Sequence, residues 1–258
     1  MTGTGRPVAL VTGASSGIGA DLARELAHDG HDLVLTARRA PPMRALAAEI
    51  EAAGAAAVVI PADLSQPGAA AALTAAIDER GLTIDVLINN AGLGAAGRFD
   101  RSDPVRIAEM LNVNIVALTE LSRLALPGMV ARRRGRVMLV ASTAGFLPGP
   151  GMAVYFATKA YVLSLGEALA QELRGTGVTV TTLCPGATAT EFFQVAGSAD
   201  LRRGMMSPAA VARIGWRGLK SGRRVVVAGL ANKVQALAAR FGPHTISVPV
   251  AAALMSRR

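Results

Sequence analysis

Cysteine, histidine and aromatic residues are scarce in this sequence. The single cysteine, Cys184, excludes a disulfide within the chain and argues against a metal cluster built on thiolates. The three histidines, His28, His31 and His244, show no metal-ligand spacing. Phe, Trp and Tyr make up 3% of the chain, which leaves few platforms on which nucleic-acid bases could stack. We therefore predict no metal site.

Long apolar runs are also missing, although hydrophobic residues make up 51% of the 258 residues. No run reaches the roughly 18 residues that span a bilayer, and the N-terminus lacks a charged segment followed by an apolar core. The apolar stretch at residues 245–255 is too short to span a membrane, so subunit packing and loose membrane contact both stay open for it. We expect a cytoplasmic protein without a transmembrane segment.

Basic residues outnumber acidic ones, 27 to 18, and give a formal net charge of +9. A basic surface attracts nucleic acid through its phosphates, and this makes nucleic-acid binding a rival hypothesis. The basic residues are scattered, however, and the densest run, residues 132–136, is typical of a solvated turn. Because the charge suits an anionic cofactor or substrate equally well, we expect no nucleic-acid partner.

Short apolar runs alternate with helical patterns along most of the chain. The runs are predicted strands at residues 8–11, 31–39, 56–61, 84–89, 136–141, 178–184 and 223–228. Intervening helices of 10 to 15 residues imply right-handed crossovers and a parallel sheet with helices on both faces. No linker or internal repeat interrupts the pattern. The sequence predicts an α/β fold in a single domain, residues 1–258.

A glycine-rich turn follows the first predicted strand. Gly13, Gly17 and Gly19 are spaced G-x-x-x-G-x-G, and a helical pattern opens directly after them. Glycine lets the backbone approach a phosphate closely, and the start of a helix offers unpaired N–H groups and the positive end of a dipole. The stretch predicts a pyrophosphate-binding loop, with a plain turn as the alternative.

Two arginines, Arg38 and Arg39, end the second predicted strand, where no acidic residue stands. In dinucleotide-binding folds an acid near this place holds the ribose 2′-hydroxyl, whereas an arginine accommodates a 2′-phosphate. The pair favours NADP(H) over NAD(H). The alternative is that the arginines are the exposed start of the helix predicted at residues 42–53.

Tyr155 and Lys159 lie four residues apart on a predicted helix and so share one of its faces. A lysine ammonium beside a phenol is expected to lower the pKa of the tyrosine and to make it a proton donor and acceptor near neutral pH. Such pairs also occur by chance. The strand that precedes this helix ends in Ser142, and the long helix predicted at residues 104–129 carries Asn114, a polar residue that needs partners or an exposed position.

The region after the sixth predicted strand combines a Pro-Gly turn with an irregular segment. Residues 187–207 are predicted to be either a substrate lid or a pair of short packing helices. An apolar pocket is suggested by the residues Phe146, Leu147, Phe192, Phe193, Met205 and Met206. Trp216 is predicted to be a core or interface anchor, and residues 229–258 form a C-terminal extension.

Four motifs follow one another along the chain: TGASSGIG after the first strand, NNAG after the fourth, Ser142 upstream of Y-x-x-x-K, and a Pro-Gly turn after the sixth strand. Over about residues 6 to 228 the sequence resembles the short-chain dehydrogenase/reductase family. The resemblance implies a Rossmann-type, doubly wound parallel sheet of seven strands in the order 3-2-1-4-5-6-7. It also implies a homodimer or homotetramer.

The resemblance carries a set of site residues with it. The implied catalytic residues are Asn114, Ser142, Tyr155 and Lys159. The implied cofactor-binding residues are Gly13, Ser15, Ser16, Gly17, Ile18, Gly19, Arg38, Asp63, Leu64, Asn90, Ala91, Gly92, Tyr155, Lys159, Pro185, Gly186, Thr188 and Thr190. Tyr155 would be the general acid and base, and Ser142 would polarise the substrate carbonyl. Asn114 would anchor a water that links Lys159 to solvent.

These features predict an NADP(H)-dependent oxidoreductase that transfers a hydride between the nicotinamide and a carbonyl or secondary alcohol of an apolar substrate. A dinucleotide-binding regulator or scaffold without turnover is the alternative from another class. It would need a damaged active site, whereas all four implied catalytic residues are present.

Overall fold

A computed structural model of the chain describes residues 5–192, 205–241 and 249. These residues contain a seven-stranded parallel sheet in the order β3-β2-β1-β4-β5-β6-β7, as expected for a Rossmann-type fold. The strands are β1 (Val8–Thr12), β2 (Asp32–Thr36), β3 (Ala57–Val59), β4 (Ile84–Asn89), β5 (Gly135–Val140), β6 (Val178–Cys184) and β7 (Val225–Val227). The predicted strands are confirmed, although β2, β3 and β7 are shorter than predicted.

Helices cover both faces of the sheet. They are α1 (Gly17–His28), α2 (Ala40–Ala52), α3 (Ala69–Asp78), α4 (Pro104–Leu111), α5 (Leu118–Ala131), α6 (Ala153–Glu172), α7 (Pro208–Lys220) and α8 (Leu230–Phe241). Side chains alternate along each strand, so that in β1 Ala9 and Val11 pack with α1, α2 and α7, while Val8 and Leu10 pack with α3, α5 and α6. The sheet is therefore buried on both sides, which is why its strands read as continuous apolar runs.

The strand order reverses between β1 and β4. The chain runs outward from β1 through β2 to β3, and then returns to pair β4 with the other side of β1. In open α/β sheets the crevice beyond the carboxyl ends of the strands at such a switch point binds ligands. The glycine-rich turn after β1 and the NNAG loop after β4 both stand at this crevice.

The long helix predicted at residues 104–129 is interrupted. A π-helical segment, Asn112–Ala117, separates α4 from α5. Within the described residues, the span Pro104–Ala131 is also the one helix long and apolar enough to cross a membrane, with 39% of its apolar window buried. Leu118 and Leu121 of this span pack into the core against the sheet, as in the core helix of a globular domain.

Trp216 is a core residue, as predicted. It is 2% exposed on α7, and its ring meets His31 edge-on with 5.4 Å between ring centroids. Cys184 is fully buried in β6. Of the segment predicted as a lid, residues 193–204, including Phe193, lie outside the described residues. The same holds for most of the C-terminal extension, including His244.

Gly166 lets α6 pack closely on β6. A Cβ placed there would collide with Thr182 Oγ1 and would lie 3.4 Å from Leu139. We expect Gly166→Ala to lower the free energy of unfolding by about 1–3 kcal/mol through overpacking, as measured by denaturant unfolding. Gly128→Ala in α5 is the matched control, because its new Cβ would meet only the flexible end of Arg132. Equal stability of the two variants would contradict this close packing.

Candidate active site

The turn after β1 is built on glycines that have no room for a side chain. Gly13 and Gly17 adopt positive φ angles, +66° and +57°, which side-chain-bearing residues rarely adopt. A Cβ at Gly13 would lie 2.8 Å from Asn90 Nδ2, and one at Gly19 would collide with the Gly13 carbonyl oxygen. The turn leaves the N-terminus of α1 open to the crevice, as a phosphate cradle requires.

The loop after β4 is tied to the end of β1 by Thr12. Its hydroxyl accepts hydrogen bonds from the backbone N–H groups of Asn90 and Ala91, both at 3.0 Å, and donates to the Ile88 carbonyl at 3.2 Å. Asn90 Nδ2 in turn donates to the carbonyls of Thr12 and Gly13. Sequence reasoning missed Thr12. Its only signal was a polar residue that ends a buried apolar strand next to the glycine turn.

Arg38 and Asp63 lie beyond the ends of β2 and β3 and line the same crevice. Asp63 accepts from the Ser65 hydroxyl at 2.8 Å and from the Ser65 N–H at 3.1 Å. Burial alone would raise the pKa of Asp63, but these hydrogen bonds and the charge of Arg38 outweigh it and lower the pKa. The carboxylate of Asp63 is therefore ionised, and the positive charge of Arg38 lies near it.

Tyr155, Lys159 and Ser142 are brought together from two elements. Ser142 follows β5 and caps a short 3₁₀ turn by accepting from the Ala144 N–H at 3.1 Å. Tyr155 and Lys159 stand in the first turns of α6, and Lys159 Nζ lies 5.8 Å from the centre of the Tyr155 ring. The Lys159 ammonium is buried and donates to the Val140 carbonyl at 2.9 Å.

The expectation that Lys159 lowers the pKa of Tyr155 is not met in this structure. Burial raises the pKa of Tyr155 to about 12, and a hydrogen bond with Ser142 offsets only part of this rise. Burial also lowers the pKa of Lys159 to about 8. The cause is burial, and the Lys159 ammonium donates its hydrogen bond to the Val140 carbonyl. At neutral pH the phenol carries its proton.

Asn114 is buried within the π-helical segment. Its Nδ2 donates to the Leu93 carbonyl at 2.9 Å and to Thr158 Oγ1 at 3.0 Å, while its Oδ1 accepts from the Leu93 N–H at 2.8 Å. Thr158 Oγ1 donates in turn to the Tyr155 carbonyl. The side chain thus ties the loop after β4 to the start of α6, and its water-anchoring role remains a prediction.

These elements enclose a single cavity of about 900 Å³, large for a ligand site. The sequence-predicted residues that line it are Gly13, Ser15, Ser16, Gly17, Ile18, Arg38, Asp63, Leu64, Asn90, Ala91, Gly92, Ser142, Tyr155, Lys159, Pro185, Gly186, Thr188 and Thr190. Gly19 and Asn114 stand behind the lining. We call the turn that contains Gly13, Gly17 and Gly19 the glycine cradle. This cradle, together with Arg38 at one end of the cavity and Tyr155 at the other, fits an extended dinucleotide.

The apolar pocket was only partly predicted. Leu147 and Phe192 line the cavity, and the Phe192 ring lies 5.2 Å from that of Tyr155. Phe146 and Met206 pack against the two hydrophobic cores and are not part of the lining, so their assignment to the pocket was wrong. Met205 does not line the cavity either. Sequence reasoning missed Asn232 and Gln235 of α8, which do line it.

A sequence model of the short chain dehydrogenase family matches residues 7–200. The chain belongs to this family. Ketoacyl reductase HetN from Nostoc sp. is 38% identical to it over 183 residues, which is 71% of this chain and 63% of that relative. The chain thus spans less than two thirds of the length of that curated relative.

Two solved short-chain dehydrogenases show the same fold with different cofactors. The protein from Sphingobium yanoikuyae, in complex with NADPH, is 36% identical with a TM-score of 0.83 and covers 90% of this chain and 92% of its own. The protein from Burkholderia phymatum, in complex with NAD, is 27% identical with a TM-score of 0.82 and the same two coverages, 90% and 92%. This chain therefore shares its fold with solved dehydrogenases that were determined with dinucleotides bound.

We expect Thr12→Val to weaken cofactor binding and to lower the free energy of unfolding by about 1–3 kcal/mol, because two partly buried N–H groups lose their acceptor. Calorimetric titration with NADPH measures the change in cofactor binding, and denaturant unfolding measures the change in stability. Thr12→Ser keeps the hydroxyl and should behave like the wild type. If valine is tolerated as well as serine, the hydroxyl does not hold the loop.

Proposed function

We propose that the chain is an NADP(H)-dependent oxidoreductase that interconverts a carbonyl and a secondary alcohol of an apolar substrate. One observation carries the proposal: Ser142, Tyr155 and Lys159 line one wall of the cavity whose other end is the glycine cradle. We also take the chain to be one catalytic domain that is cytoplasmic and forms a homodimer or homotetramer.

The side chains divide the work of a proton-coupled reduction. Tyr155 donates its proton to the substrate oxygen, since its raised pKa of about 12 keeps the phenol protonated at neutral pH. Ser142, hydrogen-bonded to Tyr155, orients and polarises the carbonyl. Lys159 keeps a positive charge next to the phenol and stabilises the phenolate that remains. The nicotinamide, when bound, supplies the hydride.

A preference for the phosphorylated cofactor is supported by charge at the end of β2. Arg38 lines the cavity there, and no acidic residue stands at the strand end to hold a 2′-hydroxyl. Since one solved relative binds NADPH and another NAD, we base this preference on Arg38 rather than on the likenesses.

The substrate end of the cavity favours an uncharged, apolar compound. Its walls are Leu93, Gly94, Ala144, Leu147, Met152, Phe156, Phe192, Asn232, Gln235, Ala238 and Ala239. None of these lining residues carries a charge, so a phosphorylated or carboxylated group would lack a partner there. Asn232 and Gln235 leave room for one polar group on the substrate.

The charge of +9 supports nucleic-acid binding, which would not depend on Tyr155. A regulator without turnover would use the cradle and not the tyrosine. An active-site variant with intact cofactor binding separates these hypotheses from the enzyme.

Tyr155→Phe is expected to lower kcat for reduction of apolar ketones by a factor of about 10² to 10⁴, because the proton donor is lost. Absorbance of NADPH measures the rate, and calorimetry checks that the variant still binds NADPH. Tyr161→Phe is the matched control: it is the other tyrosine of α6, exposed and hydrogen-bonded to Thr119. Near-normal turnover by Tyr155→Phe would remove this residue from its proposed role.

Arg38→Ala should weaken NADPH binding far more than NADH binding, because only NADPH places a phosphate at that ribose. The loss of a charge-assisted contact corresponds to about 1.5–3 kcal/mol, or roughly 10- to 150-fold in Kd. Arg44→Ala, an exposed arginine of α2 away from the cavity, controls for the change in net charge. Equal weakening of both cofactors by Arg38→Ala would contradict the proposed preference.

A further inference from the structure

The carboxylate of Glu191 reaches across the cavity to the phosphate loop. Its Oε2 accepts a hydrogen bond from Arg39 Nη2 at 2.6 Å and another from Ser16 Oγ at 3.1 Å. Glu191 follows β6, whereas Ser16 and Arg39 follow β1 and β2, so the contact joins chain segments more than 150 residues apart. All three residues line the cavity.

The donors that Glu191 engages are the kind that recognise a phosphate. Ser16 is the N-cap of α1, yet its side chain makes no capping hydrogen bond and is turned to Glu191 instead. The carboxylate therefore meets a guanidinium and a hydroxyl beside the positive end of a helix. A phosphate monoester at this place would be bound by the same groups.

The two arginines after β2 differ in their partners. Arg39 is held by Glu191, while Arg38 makes no ion pair within 4 Å among the residues that the structure describes. Arg39 therefore has to exchange an ion-paired anion for an external one. The side chains of Arg39 and Glu191 are 52% and 51% exposed, so the pair can open at a low cost.

The side chains of the residues on both sides of Glu191 pack against neighbouring elements. Thr190 packs so closely on the glycine turn that a Cβ added at Gly17 would lie 2.9 Å from Thr190 Cγ2. On the other side, the Phe192 ring packs against Tyr155. These neighbours place the carboxylate opposite Ser16 and Arg39. A rotation of the Glu191 side chain is enough to release both donors.

We propose that Glu191 is a specificity-determining residue, an internal anion that competes with the 2′-phosphate of the cofactor for Arg39 and Ser16. The proposal rests on the proposed function, in which the phosphorylated dinucleotide is the cofactor. Its consequence is that Glu191 weakens binding of NADP(H) selectively and leaves NAD(H) almost unaffected.

The ionisation of Glu191 agrees with this role. The hydrogen bond from Arg39, and next that from Ser16, holds the pKa of Glu191 below its ordinary value, so the carboxylate is charged at neutral pH. Binding of the phosphate must displace this charge. The apparent affinity is reduced by the fraction of molecules in which Arg39 is engaged.

Glu191→Gln tests the proposal, because it removes the charge and keeps the shape. Calorimetric titrations with NADPH and with 2′,5′-ADP should give Kd values about two- to fivefold lower than those of the wild type, within the range for an exposed ion pair. Titrations with NADH and 5′-AMP should change less than twofold. Glu51→Gln, an exposed glutamate on α2, controls for net charge and should change none of the four.

A double-variant comparison removes the ambiguity of a single change. Arg39→Gln should weaken 2′,5′-ADP binding more in the Glu191→Gln background than in the wild type, since Arg39 is then free to meet the phosphate. The role of Glu191 would be overturned if Glu191→Gln bound 2′,5′-ADP no more tightly than the wild type does. It would also be overturned if the variant tightened binding of 5′-AMP as much as binding of 2′,5′-ADP. Failure of the wild type itself to bind NADPH would overturn the proposed function instead.

Discussion

Everything else in the site depends on one steric constraint, the close approach of the turn after β1 to the loop after β4. Gly13 and Gly19 have no Cβ, and Asn90 fills the space that one would take. Thr12 fastens the two segments with its hydroxyl. Because of this contact the N-terminus of α1 opens into the crevice where the strand order reverses, and a phosphate can reach its N–H groups.

The proposed catalytic end of the cavity is organised by burial rather than by direct pairing of charges. Lys159 is buried beside the Val140 carbonyl, and the apolar surroundings keep the Tyr155 phenol protonated. Asn114 links the loop after β4 to α6 through hydrogen bonds to Leu93 and Thr158. The same side chain therefore stabilises the loop beside the glycine turn and the helix that carries Tyr155. The site is thus a continuous wall built by the carboxyl ends of neighbouring strands.

Apolar runs were sufficient to predict the strands and the parallel sheet, whereas most of the correctly predicted cavity lining came from the resemblance to the short-chain dehydrogenase/reductase family. Sequence reasoning failed where long-range packing decides. The pKa of Tyr155 depends on burial, which no local pattern reveals. Phe146 and Met206 are as apolar as Leu147 but face the cores. The pairing of Glu191 with Arg39 joins distant segments and leaves no periodic signal.

The most direct test of the central claim is calorimetric titration of the wild-type chain with NADPH and NADH, followed by a panel of apolar ketones monitored by the absorbance of the reduced nicotinamide. If the cavity is the catalytic site described above, NADPH binds more tightly than NADH and at least one ketone is reduced. Absence of binding by both cofactors would contradict it, beginning with the cradle at Gly13.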